Sequence, residues 1–265
     1  MTTATGIGRW RSGFLGTGGA GFVARELGLW GSLYGTYLLL RVLVIADEST
    51  AVENGRRIVA AERRLGIFVE EFAQDAAGPA GGILGAYYML GFAPVVAATC
   101  VWLACRRRDA YRELRAVLLA SVGLALVIHA AFPAAPPRLV GELGIEDTVG
   151  LGARDTNSFL GVPYNPYAAM PSMHVGWSLL VALALRRALR PGCARWLATL
   201  HPLVMAVTVT VTGNHYFLDS AAGAGVALAA FAVTSERVRA RFARGRRYAA
   251  PALAAGLPSP PGARR

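Results

Sequence analysis

The stretch TGNHYFLD (212–219) joins two apolar segments, 196–211 and 215–234, through a turn of about three residues. A membrane-spanning helix needs roughly 17–25 predominantly apolar residues, and both segments come close to that length or reach it. Because so short a turn allows only antiparallel neighbours, His215 is predicted to lie at a membrane surface where two spanning helices meet.

The composition of the whole chain is that of a membrane protein. Of its 265 residues, 54% are hydrophobic, and the mean hydropathy is +0.42. The apolar residues come in blocks, which predicts an all-α, polytopic membrane protein with a bundle of six transmembrane helices. The predicted spans are 27–46, 83–105, 116–134, 168–185, 196–211 and 215–234. The fourth is the shortest in its apolar part, and it can span only if the arginines after it snorkel.

The basic residues are distributed unevenly between the two sides of this bundle. All 27 are arginine, and 20 of them fall in the alternate segments 1–26, 106–115, 186–195 and 235–265. The other two loops, 47–82 and 135–167, hold more acidic than basic residues. By the positive-inside rule, both termini are predicted to be cytoplasmic and the acidic loops to face outward in the cell membrane. The net charge of +11 is thus topological, and no nucleic-acid partner is predicted.

Three regions are predicted along the chain. Residues 1–26 form a cytoplasmic segment without the pattern of a cleavable signal peptide. Residues 27–234 form the six-helix membrane catalytic domain, and 235–265 form a basic, disordered cytoplasmic tail. Within the domain, loop 47–82 has apolar residues at helical spacing, which predicts an amphipathic helix at the outer interface, broken at Gly66. Its apolar face would comprise Ile58, Leu65, Phe68 and Phe72, with charged residues including Glu62 and Glu70 between them.

Three polar stretches lie at the outer ends of predicted spans and are expected to meet there: FPAAPPRL (132–139), NPYAAMPSMH (165–174) and TGNHYFLD (212–219). His215 and Asp219 are four residues apart and share a helix face. The carboxylate could accept the Nδ1 proton of His215 and leave Nε2 free as a nucleophile. A purely structural pair at the start of a helix is the alternative.

Ser172, Arg138 and Arg41 are candidate anion-binding residues. Ser172 has the setting of a helix start, where free N–H groups and the helix dipole attract an anion. A simple helix cap is the alternative. Arg138 follows two prolines, where its guanidinium could bind phosphate oxygens or only anchor the interface. Arg41 lies near the outer end of the first span, and it could face the same cleft or snorkel.

Together these residues fit phosphoryl transfer. His215 would attack phosphorus, His174 would protonate the leaving oxygen, and the anion-binding residues would neutralise the other oxygens. The sequence has no HExxH, carboxylate cluster or thiolate pair with ligand spacing, so no metal and no cofactor are predicted. His129 and His201 are isolated in apolar helices and are predicted to be core histidines with satisfied hydrogen bonds.

At these residues the chain resembles the type-2 phosphatidic acid phosphatase superfamily, over about 27–234. PSMH (171–174) matches its Pro-Ser-Gly-His motif except at Met173, and HYFLD (215–219) matches its His-x-x-x-Asp motif. Thr208 and Val209 stand where the family has Ser-Arg, and the lysine of its first motif is missing. These departures resemble the branch of inositol phosphorylceramide synthase and its bacterial relatives, in which similar APPR, PSMH and GNHYFLD patterns occur.

The resemblance implies a six-helix bundle and a metal-independent lipid phosphatase or phosphotransferase that works through a phosphohistidine. It implies these roles: His215 as nucleophile, His174 as general acid, Asp219 as orienting partner, and Ser172 and Arg138 as phosphate ligands. With two basic residues of the family missing, Arg41 or another outer arginine is predicted to complete the anion site.

The predicted substrate is a phospholipid or a polyprenyl phosphate of the outer leaflet. Water as acceptor makes a phosphatase, whereas an alcohol makes a transferase, for example of an inositol-phosphate head group. A lipid-binding or lipid-transporting protein without chemistry is the alternative from another class. A serine hydrolase using Ser172 is disfavoured, because the chain lacks a nucleophile elbow there.

Overall fold

The structure, a computed structural model, describes residues 19–43, 47–150, 158–159, 162–163 and 165–234, and the side chains of its first helix over 21–36. The all-α prediction is confirmed. The helices are α1 (Gly19–Leu43), α2 (Glu48–Leu65), α3 (Glu70–Ala77), α4 (Ala80–Gly91), α5 (Ala93–Arg106), α6 (Arg108–Ala131), α7 (Met173–Ala188), α8 (Cys193–Val211) and α9 (Phe217–Thr234). Between α6 and α7 lie two 3-10 turns, Pro137–Leu139 and Gly141–Leu143, and an antiparallel hairpin of β1 (Ser158–Phe159) and β2 (Val162–Pro163).

Four helical segments of the described chain have the length and apolar composition to cross a membrane: α4 with α5 (Ala80–Arg106), α6, α8 and α9. Large apolar side chains on them are exposed, as lipid contact requires; Ile83, Val127 and Leu203 are 73%, 66% and 64% exposed. The chain is therefore a membrane protein with several spans. The predicted count of six is not confirmed. Helix α7 has only 16 residues, which is about 24 Å of helix against a hydrocarbon core of about 30 Å, and α1, the predicted first span, is not among the four segments.

Helices α1 and α6 begin about eight residues before the predicted spans 27–46 and 116–134, and two further differences affect the site. The predicted span 83–105 is broken at Phe92, which has φ −98° and ψ −87° and separates α4 from α5. Pro94 explains the break, because a proline inside a helix has no N–H and clashes with the carbonyl four residues earlier. The predicted span 168–185 begins only at Met173. The alanines before it are extended, and Ala168 forms an isolated parallel bridge with Ala134.

The membrane core is formed where α5, α6, α7 and α9 pack together, around the buried Leu103, Leu118, Leu180 and Ala227. Helices α7 and α9 approach each other most closely at two glycines. A Cβ atom on Gly176 would lie 2.7 Å from the carbonyl oxygen of Gly223, and one on Gly223 would lie 2.0 Å from that of Ser172. Only glycines permit so close a crossing. It brings the first turns of α7 and α9 side by side.

The segment 47–82, predicted to face outward, contains α2 and α3, as the break predicted at Gly66 implies, but two of its glutamates lie elsewhere than predicted. Gly66 ends α2 with φ 69°, a left-handed conformation that favours glycine. Leu65 and Phe72 are 65% and 75% exposed, whereas Glu62 and Glu70 are completely buried. The predicted placement of Glu62 and Glu70 among the charged residues of a solvated face is therefore wrong, whereas the interfacial apolar face with Leu65 and Phe72 stays a prediction. The two carboxylates are buried because they bind the start of α9, as described below.

Of the predicted cytoplasmic segment 1–26, residues 1–18 lie outside the described residues and 19–26 belong to α1; the predicted tail 235–265 also lies outside them.

Candidate functional site

Backbone hydrogen bonds join the three polar stretches that the sequence predicts to meet. The N–H of Ala134 donates to the carbonyl of Tyr167 at 2.8 Å, and the N–H of Ala169 donates back to Ala134 at 3.1 Å. The N–H of Arg138 donates to the carbonyl of Gly213 at 3.1 Å. The loop after α6 is thus bonded both to the entry of α7 and to the turn between α8 and α9.

The same turns bring His174 and His215 together. The Nδ1 atom of His174 and the Nε2 atom of His215 are 3.3 Å apart. His174 is the second residue of α7, and His215 lies two residues before α9. The N–H of Ser172, just before α7, donates to the carbonyl of Asp219 in α9 at 2.9 Å, which fixes one helix start against the other.

The ring of His215 is oriented mainly by a backbone carbonyl. Its Nδ1 lies 2.8 Å from the carbonyl oxygen of Ala169 and 3.5 Å from Oδ2 of Asp219. A carbonyl oxygen only accepts, so Nδ1 carries the hydrogen and Nε2 bears the lone pair. The same Asp219 oxygen accepts the N–H of Tyr216 at 3.0 Å. The sequence predicted Asp219 for this orienting role and missed Ala169, because a main-chain acceptor has no side-chain signature.

Two aromatic side chains of α4 and the following break enclose His174. The ring centroids of Tyr88 and Phe92 lie 4.6 Å and 4.2 Å from that of the histidine. Val175, Met205 and Val209 form a buried apolar cluster alongside. The general-acid candidate is thus held in an apolar setting, and the break in the predicted second span supplies part of it.

Arg138 is almost completely buried beside the His215 turn. Its side chain is 4% exposed, and its Nε lies 3.8 Å from Oδ2 of Asp147. Its Nη1 donates to Oδ1 of Asn214, the residue before His215. The Nε atom has no hydrogen-bond partner among the described residues. The guanidinium is thus buried, is hydrogen-bonded to the residue that precedes the nucleophile candidate, and has an N–H that no group in the described part of the chain accepts. An anion at this position could accept that hydrogen bond.

A left-handed glycine lets this turn approach Arg138. Gly213 has φ 67°, and a Cβ there would lie 2.7 Å from Cγ2 of Ile145 and 3.3 Å from Cβ of Arg138. Asn214 is held in turn by its own Nδ2, which donates to Oγ1 of Thr212 at 2.8 Å. The sequence did not mark Asn214, although its place beside His215 could have suggested it.

The remaining candidates differ in where they lie. Ser172 is completely buried, and its Oγ accepts the N–H of Val175 at 3.5 Å, so it caps α7. The backbone of Arg41 belongs to α1, but its side chain lies outside the described residues. His129 is partly buried, and its Nε2 lies 3.3 Å from the carbonyl oxygen of Pro171. His201 is also partly buried, and its Nδ1 lies 2.6 Å from the hydroxyl of Tyr87. Nε2 of His201 is buried without a hydrogen-bond partner among the described residues, so the prediction of satisfied hydrogen bonds is wrong for that histidine.

Two residues that sequence reasoning placed on a polar face bind the start of α9 instead. Glu70 Oε1 accepts the N–H of Phe217 at 2.7 Å, and Glu62 Oε1 accepts the N–H of Leu218 at 2.7 Å. Burial raises the pKa of Glu62 to about 8; the hydrogen bond from Leu218 opposes this, and the neighbouring carboxylate of Glu70 reinforces it.

The described residues contain no group of three histidine, cysteine, aspartate or glutamate side chains arranged to hold a metal ion. A cavity of about 100 Å³ lies at the opposite ends of α6, α7 and α9, beside Glu113, Arg187 and Phe231. It is remote from the histidine pair, so the candidate site rests on the side-chain geometry.

Comparison with known families assigns the chain. The family model described as PAP2 superfamily matches residues 56–233, which is more than half of the sequence and includes both histidines. The chain belongs to the PAP2 superfamily. The resemblance based on PSMH and HYFLD is thereby confirmed at superfamily level, and membership supports a membrane lipid phosphatase. The narrower branch, similar to inositol phosphorylceramide synthase, stays a prediction.

Among solved structures, the crystal structure of Aquifex aeolicus LpxE is similar, with a TM-score of 0.48 and 15% sequence identity. The similarity covers 63% of this chain and 93% of that chain. No curated protein matches the chain.

Val209 stands at the motif position where the wider family has arginine, and its contacts are those of a structural residue. Val209 is completely buried, and its carbonyl accepts the N–H groups of Asn214 at 3.0 Å and His215 at 3.1 Å. Its side chain packs with Val175 and Met205. This position therefore supports the His215 turn and offers no positive charge to a phosphate.

Proposed function

We propose that the protein is an integral-membrane lipid phosphatase or phosphotransferase that cleaves a lipid phosphoester through a phosphohistidine, without a metal. The observation that carries the proposal is the separation of 3.3 Å between His174 Nδ1 and His215 Nε2. The contact brings two histidines from helix starts 41 residues apart to one place beside a buried arginine, so that one could attack a phosphate and the other donate a proton once the phosphate lies between them.

In the first half-reaction, His215 Nε2 attacks phosphorus and forms an N–P bond. The bond between phosphorus and the lipid oxygen breaks, and His174 donates a proton to that oxygen. The hydrogen bond of His215 Nδ1 to Ala169 supports this assignment, because it leaves the lone pair on Nε2. In the second half-reaction, His174 removes a proton from the acceptor hydroxyl, whose oxygen attacks phosphorus and releases His215.

The phosphate oxygens would be bound by Arg138, by the hydroxyl of Ser172 and by free N–H groups in the first turn of α7. Arg138 supports this role through its burial and its position beside Asn214 and His215. We include Arg41 in the same site, because one buried arginine paired with Asp147 supplies little positive charge for a phosphate. Asp219 supports the proton on Nδ1 as a second, more distant acceptor, with its Oδ2 3.5 Å from that nitrogen.

The proposed substrate is a phospholipid or polyprenyl phosphate of the outer leaflet. The distribution of arginines supports an outward-facing site with both termini in the cytoplasm. With water as acceptor the protein releases phosphate, and with an alcohol it transfers a phospho-head-group of the inositol-phosphate type. The resemblance of APPR, PSMH and GNHYFLD supports the alcohol.

The test uses purified protein and a panel of phosphorylated lipids, with and without inositol or glycerol. Free phosphate and new lipid are both measured, in the presence and absence of a chelator. We expect turnover that the chelator does not change and that His215→Ala removes. His201→Gln is the matched control, because His201 contacts Tyr87 away from the site. Wild-type rates in His215→Ala, or loss of activity with the chelator, would overturn the proposal.

A further inference from the structure

Helix α9 begins with a residue that cannot cap it. The first N–H groups of a helix have no intrahelical acceptors, and Ser, Thr, Asp or Asn before the helix usually supplies one. Here Tyr216 precedes α9, and the phenol ring cannot reach back to those N–H groups. Asp219 accepts only the N–H of Tyr216 itself, in the manner of a capping box. The N–H groups of Phe217 and Leu218 therefore need acceptors from elsewhere.

Those acceptors come from α2 and α3. Glu70 binds the N–H of Phe217, and Glu62 binds the N–H of Leu218, each at 2.7 Å. Distances of this length belong to well-formed hydrogen bonds. The carboxyl groups reach α9 from positions 147 and 156 residues away in the sequence.

The burial of these two side chains shows that the contact is specific. Both glutamates are completely buried, and burying a carboxyl group is unfavourable unless partners compensate for the lost water. Neighbouring glutamates on the same helices behave differently. Glu53 and Glu71 are about half exposed and form ion pairs with Arg57 and Arg63 at the surface. Glu62 and Glu70 therefore differ from the other glutamates of α2 and α3, and their burial is explained by their hydrogen bonds to α9.

We infer that Glu62 and Glu70 are positioning residues, which together cap α9 and thereby hold His215 against His174. This inference rests on the proposed function. The two capped residues follow His215 by two and three positions, and His215 lies outside the helix, so the location of its ring depends on where α9 begins. The cap also holds Asp219, whose carbonyl binds the N–H of Ser172 at the start of α7. One pair of carboxyl groups thus fixes both histidines.

The strength of the cap is expected to depend on pH through Glu62. The carboxyl groups that face Glu62 are Glu70 from α3 and Asp219 from α9. Because the pKa of Glu62 is raised to about 8, Glu62 is mainly protonated at neutral pH and gains its charge in mildly alkaline solution. Ionisation of Glu62 places a charge in a buried setting next to the carboxyl groups of Glu70 and Asp219, which is unfavourable and would loosen the start of α9. The cap is therefore expected to weaken above pH 8.

The activity test compares leucine and glutamine variants of the full-length protein. Glu62→Leu and Glu70→Leu remove the acceptor, and kcat should fall by about 10- to 100-fold while KM changes little, because misplacement of about 1 Å has effects of that size. Glu62→Gln and Glu70→Gln keep an acceptor oxygen and should recover most of the rate. Glu71→Leu is the matched control on α3 and should leave kcat unchanged. Wild-type kcat in both leucine variants would overturn the inference.

Two further measurements keep the inference testable if a leucine variant folds poorly. In the wild type, kcat should fall as the pH rises through about 8, and this fall should be absent in Glu62→Gln. Identical pH profiles would contradict the inference. In wild type, Glu70→Gln and Glu70→Leu, hydrogen exchange of the backbone amides at 216–220 is measured without substrate. Exchange should be faster in the leucine variant only.

The exchange experiment separates this inference from the proposed function. If the wild type turns over none of the phosphorylated lipids, the proposed function fails, while faster exchange in Glu70→Leu still supports the cap. If the wild type is active but the exchange at 216–220 is the same in Glu70→Leu and in Glu71→Leu, the cap is overturned and the proposed function stands.

Discussion

His174 Nδ1 and His215 Nε2 lie 3.3 Å apart, so the two histidines contact each other directly in the resting site. Because Nδ1 of His215 donates to Ala169, the hydrogen between the two rings belongs to His174 and points at the lone pair of Nε2. The lone pair of His215 Nε2 therefore accepts a hydrogen bond from His174, and it becomes free to attack only when a phosphate separates the two rings.

Separation of the histidines by a phosphate analogue is the first prediction. A phosphorus about 3 Å from the attacking nitrogen and a leaving oxygen about 3 Å from the acid need roughly 6 Å between the two nitrogens. With orthovanadate bound, we expect the His174 ring to move away from His215 or to turn its Nε2 towards the site. A structure of the vanadate complex checks this. Vanadium on His215 with the nitrogens still in contact would contradict it.

The second prediction concerns Asp219. Ala169 is the nearer partner of His215 Nδ1, so Asp219→Asn should keep the tautomer and lower kcat by only about 10- to 100-fold, as is typical of residues that support a ligand or nucleophile. His215→Ala should remove turnover altogether, because no nucleophile remains. Steady-state rates of both variants on one lipid substrate give the comparison. Equal losses would mean that the Ala169 hydrogen bond does not suffice.

Arg138 is the subject of the third prediction. Arg138→Ala removes a buried charge beside His215 and should lower kcat/KM by about 100- to 1000-fold, the size of effect found when one donor to a developing charge is lost. Arg138→Lys should recover little, since lysine cannot reproduce the planar donor geometry. Arg41→Ala tests the proposed second arginine. If it keeps wild-type kcat/KM while Arg138→Ala loses activity, Arg41 does not belong to the site.

The fourth prediction concerns the close crossing of α7 and α9. Gly223→Ala places a methyl group 2.0 Å from the carbonyl of Ser172, so the helices must separate, and overpacking of this kind costs about 1–3 kcal/mol. Gly225→Ala is the matched control on the same helix, because a Cβ there meets no atom within 4 Å. Thermal unfolding in detergent should show a lower midpoint for the first variant only. Activity should fall together with the unfolding midpoint, because Ser172 lies two residues before His174.

Stability should depend on pH through Glu62, which is the fifth prediction. Its pKa is about 8 in the folded protein against an ordinary value of 4.5, so the folded state holds the proton more tightly than the unfolded state. The stabilisation is complete below 4.5 and is lost progressively as the pH rises to about 8. Unfolding midpoints at pH 5 and pH 8 measure the loss. Glu62→Gln should reduce the difference between them, and an unchanged difference would contradict the assignment.

The sequence predicts the helices and the meeting of the three polar stretches because both follow from local patterns. Apolar blocks predict the spans. A turn of three residues between two predicted spans predicts that His215 lies near a membrane surface. Pro94 could also have predicted the break at Phe92, since the effect of proline on a helix is local.

The burial of Glu62 and Glu70 could not be predicted in this way. Both residues occur at spacings typical of a solvated helix face, and their partners are main-chain N–H groups more than a hundred residues later. The hydrogen bond between the carbonyl of Ala169 and His215 could not be predicted for the same reason. A sequence pattern shows which side chains are polar, but only the tertiary fold determines which backbone groups they contact.

The exposure of Leu65 and Phe72 acquires a practical meaning from their neighbours. These side chains point outward from α2 and α3, the two helices whose carboxyl groups bind the start of α9. The surrounding amphiphile therefore contacts the same helices that hold the turn with His215. Replacing native lipid by a harsh detergent should reduce turnover before the transmembrane core unfolds, so assays of this protein are best made in bilayer discs.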